Sequence, residues 1–235
     1  MKKFNKQYLP KEHHGATYQG YDVLPDYSMG QDYLAALLRV MRFTTGCYAR
    51  VCMFRFDLHL PEQPDCPDYP SEYDTDVISK FMQSLRAKNH ARCKRKRKDG
   101  SLLHFTDIYF VWAKEIKKST QPHYHVALFV NKDVYRGFGD YKSDKDSMGS
   151  MIIQAHASAL KRPVEEVSTL VNFAVGKKKS ERRETDDPPV LYLDRNSEQF
   201  NAQFNRVFKR VSYLCKLATK HFGNRTKNFG SSRGG

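Results

Sequence analysis

The sequence has few cysteines and no long apolar run. Its cysteines are odd in number and form no Cys-x-x-Cys pair, so neither a disulfide framework nor a structural zinc cluster is indicated for Cys47, Cys52, Cys66, Cys93 and Cys215. No apolar run approaches the ~20 residues of a membrane span. The first residues lead into polar sequence rather than into the apolar core of a signal peptide. We therefore expect an intracellular protein without a membrane partner.

Acidic residues are scarce relative to basic ones. The chain has 26 Asp and Glu against 40 Lys and Arg, which gives a net charge of +14. Such an excess attracts polyanions, with an affinity that falls steeply as salt rises. Basic runs occupy residues 92–98, 177–179, 206–220 and 220–233, although runs of this kind are also typical of solvated loops. The candidate DNA-binding residues in these runs are Arg95, Lys96, Arg97, Lys209 and Lys220.

The length of 235 residues and the 40% hydrophobic content suit one sizeable domain with a real core. Apolar periodicity predicts helices at residues 31–43, 74–92, 150–160 and 197–220, and strands at 50–60, 108–116, 123–131 and 190–193. Loops are expected at residues 61–70, in the basic run after residue 92, at 131–149 and at 176–189, and residues 1–29 look irregular.

This order of elements predicts an α+β fold with a central antiparallel sheet and flanking helices. Residues 1–45 are expected to form an N-terminal extension with a helix. Residues 46–235 are expected to form the main domain, which ends in a basic tail.

Two histidines two residues apart begin the strand predicted at residues 123–131. Residues i and i+2 of a strand share a face, so His123 and His125 point one way, and Tyr124 and its even-numbered successors point to the buried side. Glu115, in the preceding strand, has the same parity, so a pairing opposite either histidine places all three side chains on one face. A His-x-His pair in a strand is also common as an exposed polar edge. With Glu115 at hairpin distance, the three residues predict a divalent metal site.

The helix predicted at residues 197–220 displays a tyrosine among cations. An apolar stripe occupies positions 204, 208, 211, 215 and 218, and Tyr213 lies about 180° from it on a helical wheel. Positive charge favours a phenolate, which is the better nucleophile. A solvated helix face that carries one tyrosine is the simpler interpretation. In the strand at 50–60, the polar residues Arg55, Asp57 and His59 share a face that could meet the metal site from a neighbouring strand. A salt bridge or hydrogen bond at the strand end explains Asp57 and His59 equally well as a metal role does.

These motifs, in this order, resemble those of the HUH endonucleases. His123-Tyr124-His125 is similar to their His-hydrophobe-His motif, and Tyr213-Leu214-Cys215-Lys216 is similar to their Tyr-x-x-Lys motif. Trp112, Glu115 and the basic end with Phe229-Gly230-Ser231-Ser232 resemble the prophage and filamentous-phage replication-initiator branch, which has a YagK/YfjJ-like domain. The resemblance covers roughly residues 45 to 233. Residue 217 is Leu rather than Tyr, so a paired-tyrosine arrangement is absent.

The resemblance implies a ferredoxin-like or RNA-recognition-type sheet and a rolling-circle replication initiator. Its divalent ion, Mg²⁺ or Mn²⁺, would be held by Glu115, His123 and His125. Tyr213 would attack single-stranded or supercoiled origin DNA to form a 5′-phosphotyrosine bond, with Lys216 stabilising the phenolate or the phosphate. A host helicase and polymerase would be partners, in the cytoplasm of a bacterial host cell.

Other functions fit part of the same pattern. A basic DNA-binding protein without enzymatic activity would use neither the tyrosine nor a metal. A metal-dependent nuclease that activates water would leave no covalent adduct. Relaxases and transposases share the cleavage step of the initiators. Tyr192 is the alternative nucleophile to Tyr213.

Overall fold

The fold is that of a computed structural model, which describes residues 9–61, 76–101, 104–116, 122–142, 144–173, 188–220, 222 and 227–232. The strands in these residues are β1 (Glu12–His13), β2 (Thr17–Tyr18), β3 (Tyr21–Asp22), β4 (Met29–Gly30), β5 (Arg50–His59), β6 (Tyr109–Glu115), β7 (His123–Asn131), β8 (Val171–Asn172), β9 (Val190–Asp194) and β10 (Phe229–Ser231). The α-helices are α1 (Gln31–Cys47), α2 (Val77–Lys98), α3 (Met148–Leu160), α4 (Val164–Val167) and α5 (Phe200–Ser212). Short 3-10 turns occupy Ser168–Leu170 and Tyr213–Cys215.

One antiparallel sheet organises the molecule. Its strand order is β10-β6-β7-β5-β8, and β9 also pairs with β5 beside β8. The predicted α+β fold with a central antiparallel sheet and flanking helices is therefore confirmed. Among the described residues, no helix is both long and apolar enough to cross a membrane.

Helices cover both faces of the sheet. The even-numbered residues of β7, such as Val126 and Leu128, belong to the core that α2 and α3 complete. The odd-numbered residues Ala127 and Phe129 belong to a second core, which α1 and α5 complete. The alternation predicted for β7 is confirmed, and the histidine face is covered as well. The site therefore forms at the polar end of a face whose other end is apolar.

Most of the predicted elements are present. The helix predicted at residues 31–43 is α1, which continues to Cys47, and the helix predicted at 150–160 is α3, which begins at Met148. The four predicted strands are β5, β6, β7 and β9. Most of the loop predicted at 61–70, most of the connection predicted at 176–189 and the basic residues 177–179 lie outside the described residues.

The basic run after residue 92 is helical, so the prediction of a turn there was wrong. Helix α2 continues to Lys98 and has four basic residues in its last turn. Lysine and arginine are good helix formers, and positive charge at a helix C-terminus is favoured by the helix dipole. The chain turns only at Asp99 and at Gly100, whose φ is +74°.

The tyrosine helix ends earlier than predicted. Helix α5 stops at Ser212, and the tight turn Tyr213–Cys215 leads to Lys216, whose ψ of 146° is extended. The prediction of one helix to residue 220 was therefore wrong. The cause is long-range pairing: the amide of Leu217 donates to the carbonyl of Ser28 at 2.9 Å, and Lys216 forms a β-bridge with Met29. Ala218, expected on the apolar stripe, is exposed.

The N-terminal residues that looked irregular form two short ladders. Strand β1 pairs with β4, and β2 pairs with β3. Residues 22–29, here named the strap, run from the end of β3 to the start of β4 and lie along α5 and the turn that follows it. Helix α1 contributes Leu34, Leu37 and Met41 to the same core as the sheet.

Candidate metal centre and tyrosine

Adjacent ends of β6 and β7 bring the three predicted metal ligands together. The register pairs Glu115 directly with His123, and His125 lies two residues along the same face. Each residue offers a ligand atom, and these atoms all lie within 4.8 Å of one another. All three residues are buried: Glu115 is 0%, His123 7% and His125 5% exposed. The predicted grouping is therefore present in the fold, and it could hold a metal ion.

His125 lies between two carboxylates. Its Nε2 is 3.1 Å from Glu115 Oε2, and its Nδ1 is 2.6 Å from Asp57 Oδ1 on the neighbouring strand β5. Arg55 bonds Asp57 and also places Nη2 2.7 Å from the same Nδ1. A ring nitrogen carries either a hydrogen or a lone pair, so Nδ1 can hydrogen-bond only one of the two. Asp57 is the partner that leaves Nε2 free to bind a cation.

The charge states of the group suit a cation. Burial raises the pKa of Glu115, but the contact with His125 and the charges of Lys216 and Lys220 outweigh burial and bring the pKa to about 2. Burial, together with the nearby His125, lowers the pKa of His123 to about 4. At neutral pH the site therefore offers a carboxylate and a neutral imidazole with its lone pair.

The hydrogen bonding of the group also fits a bound metal ion. Among the described residues, neither carboxylate oxygen of Glu115 nor Nε2 of His125 has a hydrogen-bond partner, although all three atoms are buried. Lys216 Nζ lies 3.2 Å from Oε2 as an ion-pair partner, whereas a buried carboxylate oxygen with no donor, such as Oε1, is costly. A cation bonded to these atoms would remove that cost. Asp57 would then act as the carboxylate that orients a ligating histidine from behind. Burial raises its pKa, but the contacts with His125 and Arg55 hold the pKa well below its usual range.

Tyr213 and Lys216 lie against this group. The Lys216 ammonium donates to the Tyr213 hydroxyl, and its Nζ is 3.2 Å from Glu115 Oε2. The ring of Tyr213 meets that of His125 edge-on, with centroids 5.6 Å apart. The two motifs, about ninety residues apart in the sequence, thus form one cluster. The tight turn after α5 is what directs both side chains of the second motif to the sheet.

The remaining residues predicted near the site take different positions. His59 is exposed and stacks on His123, with ring centroids 5.5 Å apart. Lys220 is buried, and its Nζ donates to the carbonyls of Leu214 and Lys216 at 2.9 and 2.6 Å. Lys220 therefore closes the turn that carries the tyrosine. Its predicted contact with DNA stays a prediction.

The other predicted DNA-binding residues lie at two places. Lys209 is exposed in the last turn of α5. Arg95, Lys96 and Arg97 lie at the end of α2 that packs beside the end of β7, as the bond of Asn89 to Thr106 and the bond of the Asn131 amide to Thr106 show. Since His123 begins β7 and Asn131 ends it, the end of the strand beside which α2 packs lies roughly 25 Å from the metal group at a rise of about 3.3 Å per residue. Arg95 already forms an ion pair with Asp146, in which Nη2 donates to both carboxylate oxygens.

One residue at the site and one contact of a second residue were missed from the sequence. Tyr27, in the strap, meets Tyr213 edge-on with centroids 5.9 Å apart. It comes from a segment without periodicity, and no sequence signal pointed to it. Arg55 shares the parity of Asp57, so its side of the strand was predictable, but its bond to Asp57 was not. Tyr192, the alternative nucleophile, lies outside the cluster and donates its hydroxyl to the carbonyl of Arg136 at 2.6 Å.

The family model and the two relatives found by comparison with known proteins point to the same family. The family model of the YagK/YfjJ C-terminal domain matches residues 17–232. The chain is 32% identical over 206 residues to the uncharacterized protein YagK of Escherichia coli (strain K12), which covers 86% of this chain and 92% of that protein. It is also 32% identical over 187 residues to the uncharacterized protein YfjJ of the same organism, over 77% of this chain and 84% of that protein. No solved structure matches the chain. With a match over most of its length, the chain belongs to the YagK/YfjJ C-terminal domain family.

Proposed function

We propose that the protein is an HUH-type endonuclease that initiates rolling-circle replication by nicking and rejoining single-stranded DNA at an origin. One observation carries the proposal: the Lys216 ammonium contacts both the hydroxyl of Tyr213 and the carboxylate of Glu115. A nucleophile, a cation and a metal-binding group are thus within reach of one phosphate. A solvated tyrosine on a helix face would have none of these neighbours.

The chain's own groups account for each requirement of the transfer. The Tyr213 oxygen attacks the phosphorus, the phosphorus–O3′ bond breaks, and a 5′-phosphotyrosine bond forms. The phenolic proton passes to solvent, and the released O3′ takes up a proton to become a free 3′-OH. Lys216 stabilises the phenolate and the phosphate charge. A divalent ion, when bound by Glu115, His123 and His125, supplies polarisation of the phosphate oxygens. Attack by a later 3′-OH reverses the step, so no nucleotide cofactor is needed.

The metal is proposed to be Mn²⁺ or Mg²⁺. One carboxylate and two imidazoles suit Mn²⁺ better than Mg²⁺, because imidazole is the softer kind of ligand. The phosphate oxygens of the DNA would favour Mg²⁺, the harder ion. Asp57, by accepting the Nδ1 hydrogen of His125, would fix the ring so that the lone pair of Nε2 is available to a metal ion.

The proposed substrate is supported by the net charge of +14. Among HUH enzymes, the initiator is favoured because the C-terminal residues resemble that branch. Free 3′-OH ends from nicking would prime a host polymerase, and a host helicase would separate the strands.

The test is adduct formation on single-stranded DNA. Oligonucleotides that tile both strands around the gene's own replicon are incubated with the protein and Mn²⁺ or Mg²⁺, and products are resolved on denaturing gels and by peptide mass analysis. We expect an adduct on Tyr213 that Tyr213→Phe and EDTA abolish. Tyr192→Phe is the matched control, since that tyrosine lies outside the cluster, and it should retain the adduct.

Other outcomes separate the alternatives. Cleavage without an adduct would identify a nuclease that activates water. Binding without cleavage on any strand would leave a DNA-binding protein without enzymatic activity. An adduct on Tyr192 would move the nucleophile and contradict the proposal.

A further inference from the structure

The strap is bonded to the tyrosine segment along its whole length. At its start, the amide of Asp22 donates to Asn205 Oδ1 at 2.7 Å, and Asn205 Nδ2 donates to Asp22 Oδ2 at 3.0 Å. In its middle, the amide of Leu24 donates to Ser212 Oγ at 3.4 Å. At its end, the carbonyl of Ser28 accepts from the amide of Leu217 at 2.9 Å. The strap thus runs beside α5 and past the turn that carries Tyr213.

Tyr27 is the strap residue that reaches the cluster. Its ring meets the ring of Tyr213 edge-on at 5.9 Å, with an interplanar angle of 87°. The Lys216 ammonium lies 3.7 Å from the centroid of Tyr213 and 5.6 Å from the centroid of Tyr27. The ammonium therefore lies close to two aromatic rings while it contacts the Tyr213 hydroxyl and Glu115.

We propose that Tyr27 is a positioning residue for Tyr213 and Lys216, and that the strap holds it there; this inference rests on the proposed function. A lysine side chain has four rotatable bonds, and two neighbouring aromatic rings reduce the positions that its ammonium can take. The ring of Tyr27 likewise limits rotation of the Tyr213 ring. Tyr27 acts through these two residues and makes no bond to the substrate.

Positioning of this kind affects rate more than binding. Displacement of a reacting group by about 1 Å can cost about 100-fold in rate. The loss of the Tyr27 ring should therefore slow the chemical step and leave DNA affinity and metal affinity nearly unchanged. Its hydroxyl group is not needed for this role, so phenylalanine should replace it.

The experiment compares Tyr27→Leu, Tyr27→Phe and Tyr21→Leu in the full chain. Tyr21 is the matched control. It directly precedes the strap, and its ring packs on Phe204 and Phe208 rather than on Tyr213. Single-turnover adduct formation at saturating DNA is measured together with the Kd for DNA, the Kd for Mn²⁺ and the melting temperature. We expect Tyr27→Leu to be about 10- to 100-fold slower, with both Kd values within about twofold, and Tyr27→Phe and Tyr21→Leu to be close to wild type in rate.

A second measurement does not depend on activity. In protein with ¹³C-labelled lysine, the signals of Lys216 should be shifted by the ring current of Tyr213, and Lys216→Arg assigns them. Tyr27→Leu should move these signals toward the values of a free lysine, whereas Tyr21→Leu should not.

The outcomes distinguish the two proposals. Wild-type protein that forms no adduct would contradict the proposed function, while the Lys216 signals would still decide the role of Tyr27. An unchanged rate and unchanged Lys216 signals in Tyr27→Leu would overturn the inference. A weaker DNA Kd with a normal rate would also overturn it, since Tyr27 would then be a DNA contact. An adduct on Tyr27 itself would make it a nucleophile instead.

Discussion

Lys216 is buried beside the carboxylate that a metal ion would use. Its Nζ lies 3.2 Å from Glu115 Oε2, and the residue is 3% exposed. Two unit charges about 4 Å apart interact by about 4 kcal/mol at an effective dielectric of about 20. The lysine therefore opposes a divalent ion at the same carboxylate, even though its charge assists phosphate binding.

Replacement of this charge should strengthen metal binding. We expect Lys216→Met to bind Mn²⁺ at least about tenfold more tightly, equivalent to about 1.4 kcal/mol, because the repulsion is removed and Glu115 loses its other cation. Isothermal titration calorimetry measures the affinity. Lys209→Met, an exposed lysine of α5, is the control and should leave it unchanged. Equal or weaker Mn²⁺ binding in Lys216→Met would show that the lysine does not oppose the ion.

His156 of α3 gives a pH dependence that is separate from the metal centre. It is fully buried, its Nε2 lies 2.8 Å from the carbonyl of His59, and its Nδ1 has no hydrogen-bond partner among the described residues. Burial lowers its pKa to about 4, so the folded protein resists protonation that the unfolded chain accepts near pH 6.5. The unfolded state binds more protons between these values, and stability falls as pH falls.

The size of this effect can be measured. Between pH 6.5 and 4, His156 should remove up to about 3 kcal/mol of the free energy of unfolding, at about 1.4 kcal/mol per unit of pKa. Urea unfolding of wild type and His156→Gln over this range isolates the contribution, since His123 titrates in the same direction in both. If the free energy of unfolding depends on pH in the same way in both proteins, His156 does not make this contribution.

At the residue scale, the metal group was predictable and its surroundings were not. Strand parity alone placed Glu115, His123 and His125 on one face, because the period of two is a local property of the chain. The burial of Lys220 and the contact of Tyr27 depend on segments that lie far apart in the sequence. No local pattern records such contacts.

The edge strand β10 depends on a glycine. Gly230 pairs with Trp112 of β6, and a β-carbon at Gly230 would lie 2.5–2.7 Å from three atoms of the indole ring. Trp112 is 9% exposed and belongs to the core with α2 and α3. The close approach of backbone to ring therefore leaves no room for a side chain at residue 230.

Gly230→Ala should therefore displace either the ring or the strand. We expect a loss of about 1–3 kcal/mol in the free energy of unfolding, as for other overpacked sites, and a changed emission spectrum, since Trp112 is the single tryptophan. Gly46→Ala in α1 is the control, because a β-carbon there meets nothing within 4 Å. A native spectrum and stability in Gly230→Ala would refute the close contact.

At the element scale, prediction succeeded where a pattern is local and failed where an element ends. The apolar periods gave α1, α3 and the four long strands. Helix α2 extends through a basic run whose sequence is compatible with either a helix or a turn. Helix α5 ends just before Lys216 and Leu217, which pair with the strap. Helix ends depend on these distant partners, so periodicity alone placed them wrongly.

Across the whole molecule, the basic end of α2 and the candidate metal centre lie apart. Strand β7 alone spans roughly 25 Å between His123 and the end beside which α2 packs. If the basic end of α2 contacts DNA phosphates, the DNA must extend along the sheet. Lys96 and Arg97 would then add to affinity through counterion release rather than through the reacting phosphate.

Salt dependence tests this arrangement. The double change Lys96→Ala and Arg97→Ala should weaken DNA binding and reduce the slope of log K against log salt by about 1–2, roughly one for each lost phosphate contact. Arg95→Ala is the control from the same run and should have a smaller effect, because Asp146 already pairs with Arg95. An unchanged slope in the double variant would place the DNA elsewhere.

The central strand β5 also has a consequence for how the protein is made. Its partners are β7, β8 and β9. The last of them, β9, has been synthesised only when the chain reaches residue 194. Synthesis proceeds from the N-terminus, and an apolar strand with Phe54, Phe56 and Leu58 therefore leaves the ribosome long before it can pair. Contacts so distant in sequence make folding slow. Until residue 194 has been synthesised, one side of this apolar strand has no partner, and such an edge is prone to aggregation.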